Sequence, residues 1–154
     1  MAIKFFRTRD KYGCFSNFSR HSVWYENYTW PTTEHYFQAQ KYAGLPGPAI
    51  ERYNAIRIAL TPRIAADLGR DRSIPMRSDW EQVKDDVMRQ CVLQKFQTHR
   101  DIREILLGTY DEELIEDSPW DSYWGIGSNG DGKNILGKIL METRKYLSAV
   151  SNSI

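Results

Sequence analysis

An α+β fold, rich in helix and carrying a small β-sheet, is what this sequence predicts, and three observations predict it. Short β-compatible runs crowd the stretch before the first helix: Ile3-Lys4-Phe5-Phe6, Val23-Trp24-Tyr25 and Tyr28-Thr29-Trp30. From Thr32 onward apolar residues recur mostly at helical spacing, between capping residues. One more strand-like run, Leu114-Ile115-Glu116, interrupts the helices and is expected to join the small sheet. At 154 residues, with no linker composition anywhere, residues 1–154 read as a single domain able to bury a core without staples.

The elements follow in order. The first run leads into a polar loop, Arg7-Thr8-Arg9-Asp10-Lys11-Tyr12-Gly13, and Glu26-Asn27 reads as the turn between the next two strands. Pro31, Thr32 and Thr33 suit a helix start, and Gly44 with Pro46 stops that helix. A second helix runs from Pro48 to about Ile58, and Thr61-Pro62 caps a third that Gly69 ends. Ser78-Asp79-Trp80-Glu81 is a capping box opening a helix whose Val83, Val87 and Cys91 form one stripe flanked by Met88, Val92 and Phe96. Thr98 caps the next helix, which ends at Gly108, and Ile135, Leu136, Ile139, Leu140 and Leu147 mark a last amphipathic helix.

Composition narrows the function. Five Trp, nine Tyr and six Phe exceed what a core of this size needs and suggest a flat ligand. A net charge of +1 argues against holding nucleic acid on a broad basic surface, which needs clustered Lys and Arg to displace counterions, but leaves room for a local phosphate pocket. Cys14 and Cys91 lack CxxC or His spacing and read as reduced thiols. With no signal-peptide stretch and no apolar run long enough to span a bilayer, the expectation is a soluble, cytoplasmic protein that engages no membrane.

Four segments carry candidate chemistry. Glu34 falls in the first turn of the helix at Thr32, where the dipole favours its ionised form by roughly 0.3–1 kcal/mol at exposed sites. The bland alternative makes Glu34 a surface acid and His35 an interior histidine beside packing residues Tyr36, Phe37, Ala39 and Tyr42. Asp121 is surrounded by Trp120, Tyr123 and Trp124 in a segment too short for a core helix, so it is either an acid suited to proton transfer or a turn residue. The glycine-rich run from Gly125 to Asn134 precedes the last helix and offers N–H groups and Lys133 to a phosphate, although a surface turn has the same look. Arg70, Arg72 and Arg77 lie in a loop before Trp80, which either stacks on a base or packs at a helix start.

Together and in this order, the segments resemble the YbiA-like or NADAR family, whose latter name refers to NAD and ADP-ribose. The resemblance rests on Phe15-Ser16-Asn17-Phe18, the run from Trp30 to Lys41, Trp80 with Val87-Met88 and Lys95-Phe96, Trp124-Gly125, and the run from Gly132 to Gly137 with Leu140-Met141 and Arg144. It covers nearly the whole chain, and Glu34-His35-Tyr36-Phe37-Gln38 is its most specific part. The resemblance implies an N-glycosidase that hydrolyses a bond between ribose C1 and nitrogen. Its substrate is either ADP-ribose attached to guanine in nucleic acid, the favoured reading, or a phosphorylated ribosylamino-pyrimidine of riboflavin synthesis. The family's catalytic set matches Glu34, Trp80, Asp121 and Trp124. Departures are minor: Thr33 where serine also occurs, and Tyr42 and Cys91 in place of Phe and Ala in a close bacterial relative.

Cleaving a ribosyl C–N bond builds positive charge on C1 and the ring oxygen, which one carboxylate stabilises while a second handles water. Glu34 is assigned the developing charge and Asp121 the water or leaving base, the reverse assignment being the alternative, and both are expected to face one cleft. Trp80 and Trp124 would hold the heterocycle. Substrate contacts are expected from Asn17, Phe18, His35, Gln38 and Lys41, and phosphate contacts from Asn17, Arg70, Gly127, Lys133 and Asn134. No metal and no cofactor is called for, and ADP-ribosylated DNA would be a partner only through its modified base. The rival classes are a macrodomain-like reader, which needs no pair of acids among aromatics, and a protein-interaction domain.

Overall fold

A computed structural model describes residues 1–152. The chain divides into two compact units, one formed by Arg20–Lys95 and the other by Met1–Ser19 with the chain from Phe96 on, the second boundary falling inside a continuous helix.

In the unit Arg20–Lys95, which follows strand β1 (Ala2–Phe5) in the chain, the first element is a hairpin of β2 (Val23–Tyr25) and β3 (Tyr28–Trp30), antiparallel, with Val23 opposite Trp30. Glu26 and Asn27 both take positive φ, 53° and 68°, the backbone a two-residue hairpin turn requires. Helices α1 (Thr33–Gln40), α2 (Pro48–Arg57) and α3 (Pro62–Arg70) then pack on one another, followed by α4 (Trp80–Thr98). The core forms around the fully buried Trp30, whose indole meets Tyr36 and Tyr53 edge-on at centroid distances of 5.3 and 5.5 Å. Small residues set the α1–α3 approach: Ala39, Ala65 and Ala66 are buried, and a Cβ on Gly69 would lie 2.0 Å from Gln38 Oε1. Gly69 therefore sits within the last turn of α3, which continues to Arg70, and serves close packing rather than ending the helix.

In the other unit, β1 (Ala2–Phe5) pairs in parallel with β4 (Glu113–Glu116), Ala2 opposite Glu113 and Phe5 opposite Glu116. Helices α5 (Arg100–Leu107) and α6 (Ile135–Asn152) complete it, α6 lying on β4. A Cβ on Gly137 would fall 2.1 Å from Leu114 O, so only glycine lets α6 approach the strand this closely. Phe5, Phe15 and Phe96 form an edge-packed aromatic core with Leu106, Leu114, Leu136 and Leu140. Arg144, buried on α6, donates to Thr109 Oγ1 at 2.9 Å and Glu112 O at 2.8 Å, tying α6 to the turn before β4.

The α+β reading holds, with three local differences. The strands form two separate two-stranded sheets rather than one, because the hairpin pairs only with itself. No capping box forms at Ser78–Glu81 among the described residues: Asp79 O accepts from Val83 N at 3.2 Å, making Asp79 the residue before α4, its carboxylate is held by Arg77, and Glu81 pairs with Lys84 at 2.9 Å. Thr98 is the last residue of α4, and His99 occupies the N-cap position of α5.

Candidate active site

Every residue of α1 is buried, although the helix carries Thr33, Glu34, His35, Gln38 and Gln40. A polar helix taken out of water must find partners for its polar atoms. Thr32 caps it with an extended backbone, its Oγ1 accepting His35 N at 3.2 Å. His35 Nε2 lies 2.9 Å from Ala59 O, a pure acceptor, so this nitrogen carries the proton and Nδ1 accepts from Thr32 Oγ1 at 2.8 Å. Burial pushes the imidazole pKa below its ordinary value. With both nitrogens engaged, His35 presents neither to a substrate, contrary to expectation: it anchors the start of α1.

One turn on, Gln38 Nε2 donates to Glu34 Oε2 at 2.7 Å. Gln38 Oε1 is buried and takes no hydrogen bond. Its amide nitrogen is committed to the acid, so Gln38 positions Glu34. Glu34 itself is 7% exposed.

Lys41 follows at the end of the helix, its Nζ 3.0 Å from Gly69 O and 6.0 Å from the centroid of the Trp80 ring. Burial pushes its pKa down to about 8, with Arg72, Arg70 and Lys84 acting the same way and the Glu34 carboxylate opposing them. The Gly69 carbonyl also accepts from Arg72 Nη1 at 2.8 Å, and Arg52 Nη1 holds Leu68 O at 2.7 Å. Cations thus gather on the C-terminal end of α3, where the helix dipole is negative. Arg70 is exposed on that last turn. Trp80 is buried, its ring 5.0 Å from that of Phe37.

In the other unit, Asp121 Oδ1 accepts from Tyr123 N at 2.9 Å and Trp124 N at 2.8 Å. One oxygen therefore serves the turn, as the bland reading had it, while Oδ2 takes no hydrogen bond among the described residues. Tyr123 and Trp124 meet edge-on at 4.9 Å, and Lys133 Nζ, on an exposed side chain, lies 5.4 Å from the Tyr123 centroid.

The backbone N–H groups at the start of α6 are not open to a phosphate. The N–H groups of Lys133, Asn134, Ile135 and Leu136 donate to the carbonyls of Ser122, Gly125, Tyr123 and Trp124 at 2.8–3.0 Å, so the helix start has its donors already satisfied. Asn134 is likewise structural: Nδ2 donates to Leu114 O and Oδ1 accepts from Glu116 N, both at 2.9 Å, clamping β4. Gly127, with φ of 70°, opens a turn that Gly130 N closes on its carbonyl at 3.2 Å. Asn17 is buried and Phe18 half-buried, just past a 3-10 turn at Gly13–Phe15, with Phe18 N on Ser16 Oγ at 3.1 Å.

The expected residues thus fall into two groups. Glu34, His35, Gln38, Lys41, Arg70 and Trp80 belong to the unit Arg20–Lys95, and Asn17, Phe18, Asp121, Trp124, Gly127, Lys133 and Asn134 to the other. Sequence reasoning overlooked Arg72 as a partner of the Gly69 carbonyl and Ser118, whose Oγ accepts from Trp120 N and Asp121 N at 3.3 and 3.1 Å. The signal for Ser118 was present in Ser-Pro-Trp-Asp, a serine placed to cap a turn at the acid.

Residues 4–148 match the family model described as the NADAR domain. The chain belongs to the NADAR family. An N-glycosidase of Nostoc punctiforme is 50% identical over 96% of this chain and 93% of its own length. N-glycosidase YbiA of Escherichia coli is 46% identical over 95% of this chain and 88% of its own length. The NMR structure of E. coli YbiA superposes with a TM-score of 0.89 and 43% identity, covering 99% of this chain and 88% of that one. A chloroplastic riboflavin biosynthesis protein, PYRR of Zea mays, is 43% identical across 94% of this NADAR chain, which spans 25% of that protein. The chain is an N-glycosidase, a hydrolase of N-glycosyl bonds. Among the described residues no helix is long and apolar enough to cross a membrane, and no group of three or more His, Cys, Asp or Glu is placed to hold a metal ion.

Proposed function

We propose that this N-glycosidase releases ADP-ribose from ADP-ribosylated guanine in nucleic acid. The observation that carries the reading is the Glu34 carboxylate, in the first turn of α1, with Oε2 held by Gln38 at 2.7 Å. A preorganised anion is what the positive charge growing on ribose C1 and its ring oxygen requires. The C1–N bond breaks with its electron pair leaving on the base, which takes a proton, and water adds its oxygen to C1. Asp121, through Oδ2, activates that water or protonates the leaving base. Trp80 and Trp124 hold flat rings, and Lys41 and Arg70 supply the cations for the diphosphate. Asn17, Phe18, Lys133 and the donors near Gly127 serve the same substrate. Modified DNA is held through its ADP-ribosylated base, and the enzyme works in the cytoplasm.

A second reading, hydrolysis of a phosphorylated ribosylamino-pyrimidine, is favoured by the names of relatives such as the Zea mays protein and a riboflavin biosynthesis protein of Vibrio vulnificus, 34% identical over 94% of this chain. Offering the purified protein both substrates side by side separates the two. Release of free ADP-ribose with unmodified guanine restored is expected; hydrolysis of the pyrimidine nucleotide alone would transfer the assignment to the second reading.

A further inference from the structure

Because β1 and β4 are parallel and in register, the segments that leave them emerge at the same end of the strand pair. Asp117 N on Phe5 O at 2.9 Å extends the pairing one residue further. Phe6 then follows β1 and Trp120 follows β4, and their rings meet at 5.6 Å with planes inclined at 53°. Trp120 is 82% exposed, and its backbone N–H and that of Asp121 are both held by the buried Ser118 hydroxyl, which fixes the main chain that carries the indole. An indole facing water, on an aromatic support and next in sequence to a candidate catalytic acid, has the form of a stacking surface.

The loop that continues from Phe6 carries Arg7, Arg9 and Lys11, all exposed, against one acid, Asp10, whose Oδ2 accepts from Arg7 N at 3.3 Å. It is closed by Asp10 N on Arg7 O at 3.1 Å and Gly13 N on Asp10 O at 2.9 Å. The loop is locally positive and lies beside the most exposed tryptophan, which its own segment flanks with Asp117 and Asp121, so the cations of the patch are those of the loop. A partner protein would need more apolar surface than one aromatic step, whereas an unstacked base offers a π-face and brings phosphates for the cations.

We propose that Trp120 on Phe6, with Arg7, Arg9 and Lys11, docks single-stranded nucleic acid and stacks the base neighbouring the modified one. The identity of that modified base rests on the proposed function; the docking itself does not. The test titrates the full chain into a labelled, unmodified single-stranded oligonucleotide followed by anisotropy. Saturable binding is expected, weakened roughly 5- to 150-fold by Trp120→Ala and largely retained by Trp120→Phe. The triple change Arg7→Ala, Arg9→Ala, Lys11→Ala should lower the log–log salt slope by about 2. Unchanged affinity in a Trp120→Ala protein with wild-type circular dichroism, or equal affinity for duplex, would overturn the platform.

A kinetic arm uses ADP-ribosylated oligonucleotide and free ADP-ribosylated guanosine. Trp120→Ala should raise KM only for the oligonucleotide; an equal rise for both would put the indole on the ADP-ribosyl group instead and refute the flanking-base role. Should the chain cleave only a pyrimidine nucleotide, the proposed function falls, while the anisotropy titration still decides the platform.

Discussion

Gln38 and Glu34 are joined across one turn of α1 by a 2.7 Å hydrogen bond, and the same Gln38 occupies the space that a side chain at position 69 would need. The acid is thereby held from a neighbouring helix at one remove. Gln38→Leu is expected to cost about 1.5–3 kcal/mol of transition-state stabilisation, the worth of a hydrogen bond to a charged group, and to lower kcat more than it raises KM. Gly69→Ala should produce the same kinetic defect by displacing Gln38. Steady-state kinetics on both variants check this; wild-type kcat in either would mean Glu34 is held without Gln38.

Lys41 links the site to pH. If its ammonium serves the substrate, kcat/KM falls as pH rises through about 8, and Lys41→Arg moves that limb upward. Stability moves the other way. The unfolded lysine keeps its proton up to its ordinary 10.5, so between about 8 and 10.5 the unfolded chain binds more protons and folding stability rises with pH. Urea titrations across that window should show the rise in wild type and its loss in Lys41→Met.

For Asp121, asparagine separates turn from chemistry. Its carbonyl oxygen can still accept Tyr123 N and Trp124 N while the charge is gone. Asp121→Asn should keep wild-type thermal stability and lose turnover roughly 1000-fold, near the middle of the range for a general acid or base. Full turnover would leave Asp121 with only the turn.

Asn134 should behave oppositely. Asn134→Ala removes both bonds to β4, the one to the Leu114 carbonyl and the one from the Glu116 N–H. A loss of about 1–3 kcal/mol is expected in urea unfolding, with kcat of the folded fraction near wild type. A stable variant with impaired binding would restore Asn134 to the substrate.

What was legible in the sequence was whatever local chemistry decides. Glu26-Asn27 requires a left-handed turn, Thr32 caps a helix, and Gly108 ends one, without reference to distant residues. Partnerships across the fold were not legible. Nothing near His35 in sequence announces that Ala59 O takes its proton, and Asn134 looked like a ligand residue because its partners lie on β4. The end of the glycine-rich loop is illegible for the same reason: its composition fits an anion cradle, but the carbonyls of 122–125 fold back onto the N–H groups of residues 133–136. The two sheets were merged in the reading because strand propensity does not name a strand's partner.

The central claim is that the Glu34 charge drives C–N cleavage, and single-turnover hydrolysis by Glu34→Gln on ADP-ribosylated guanine tests it most directly. The amide keeps the shape and removes the charge, so the barrier should rise by about 2–4 kcal/mol, a rate loss of roughly 30- to 1000-fold, with substrate affinity nearly unchanged. A well-folded Glu34→Gln protein that turns over at the wild-type rate would contradict the account.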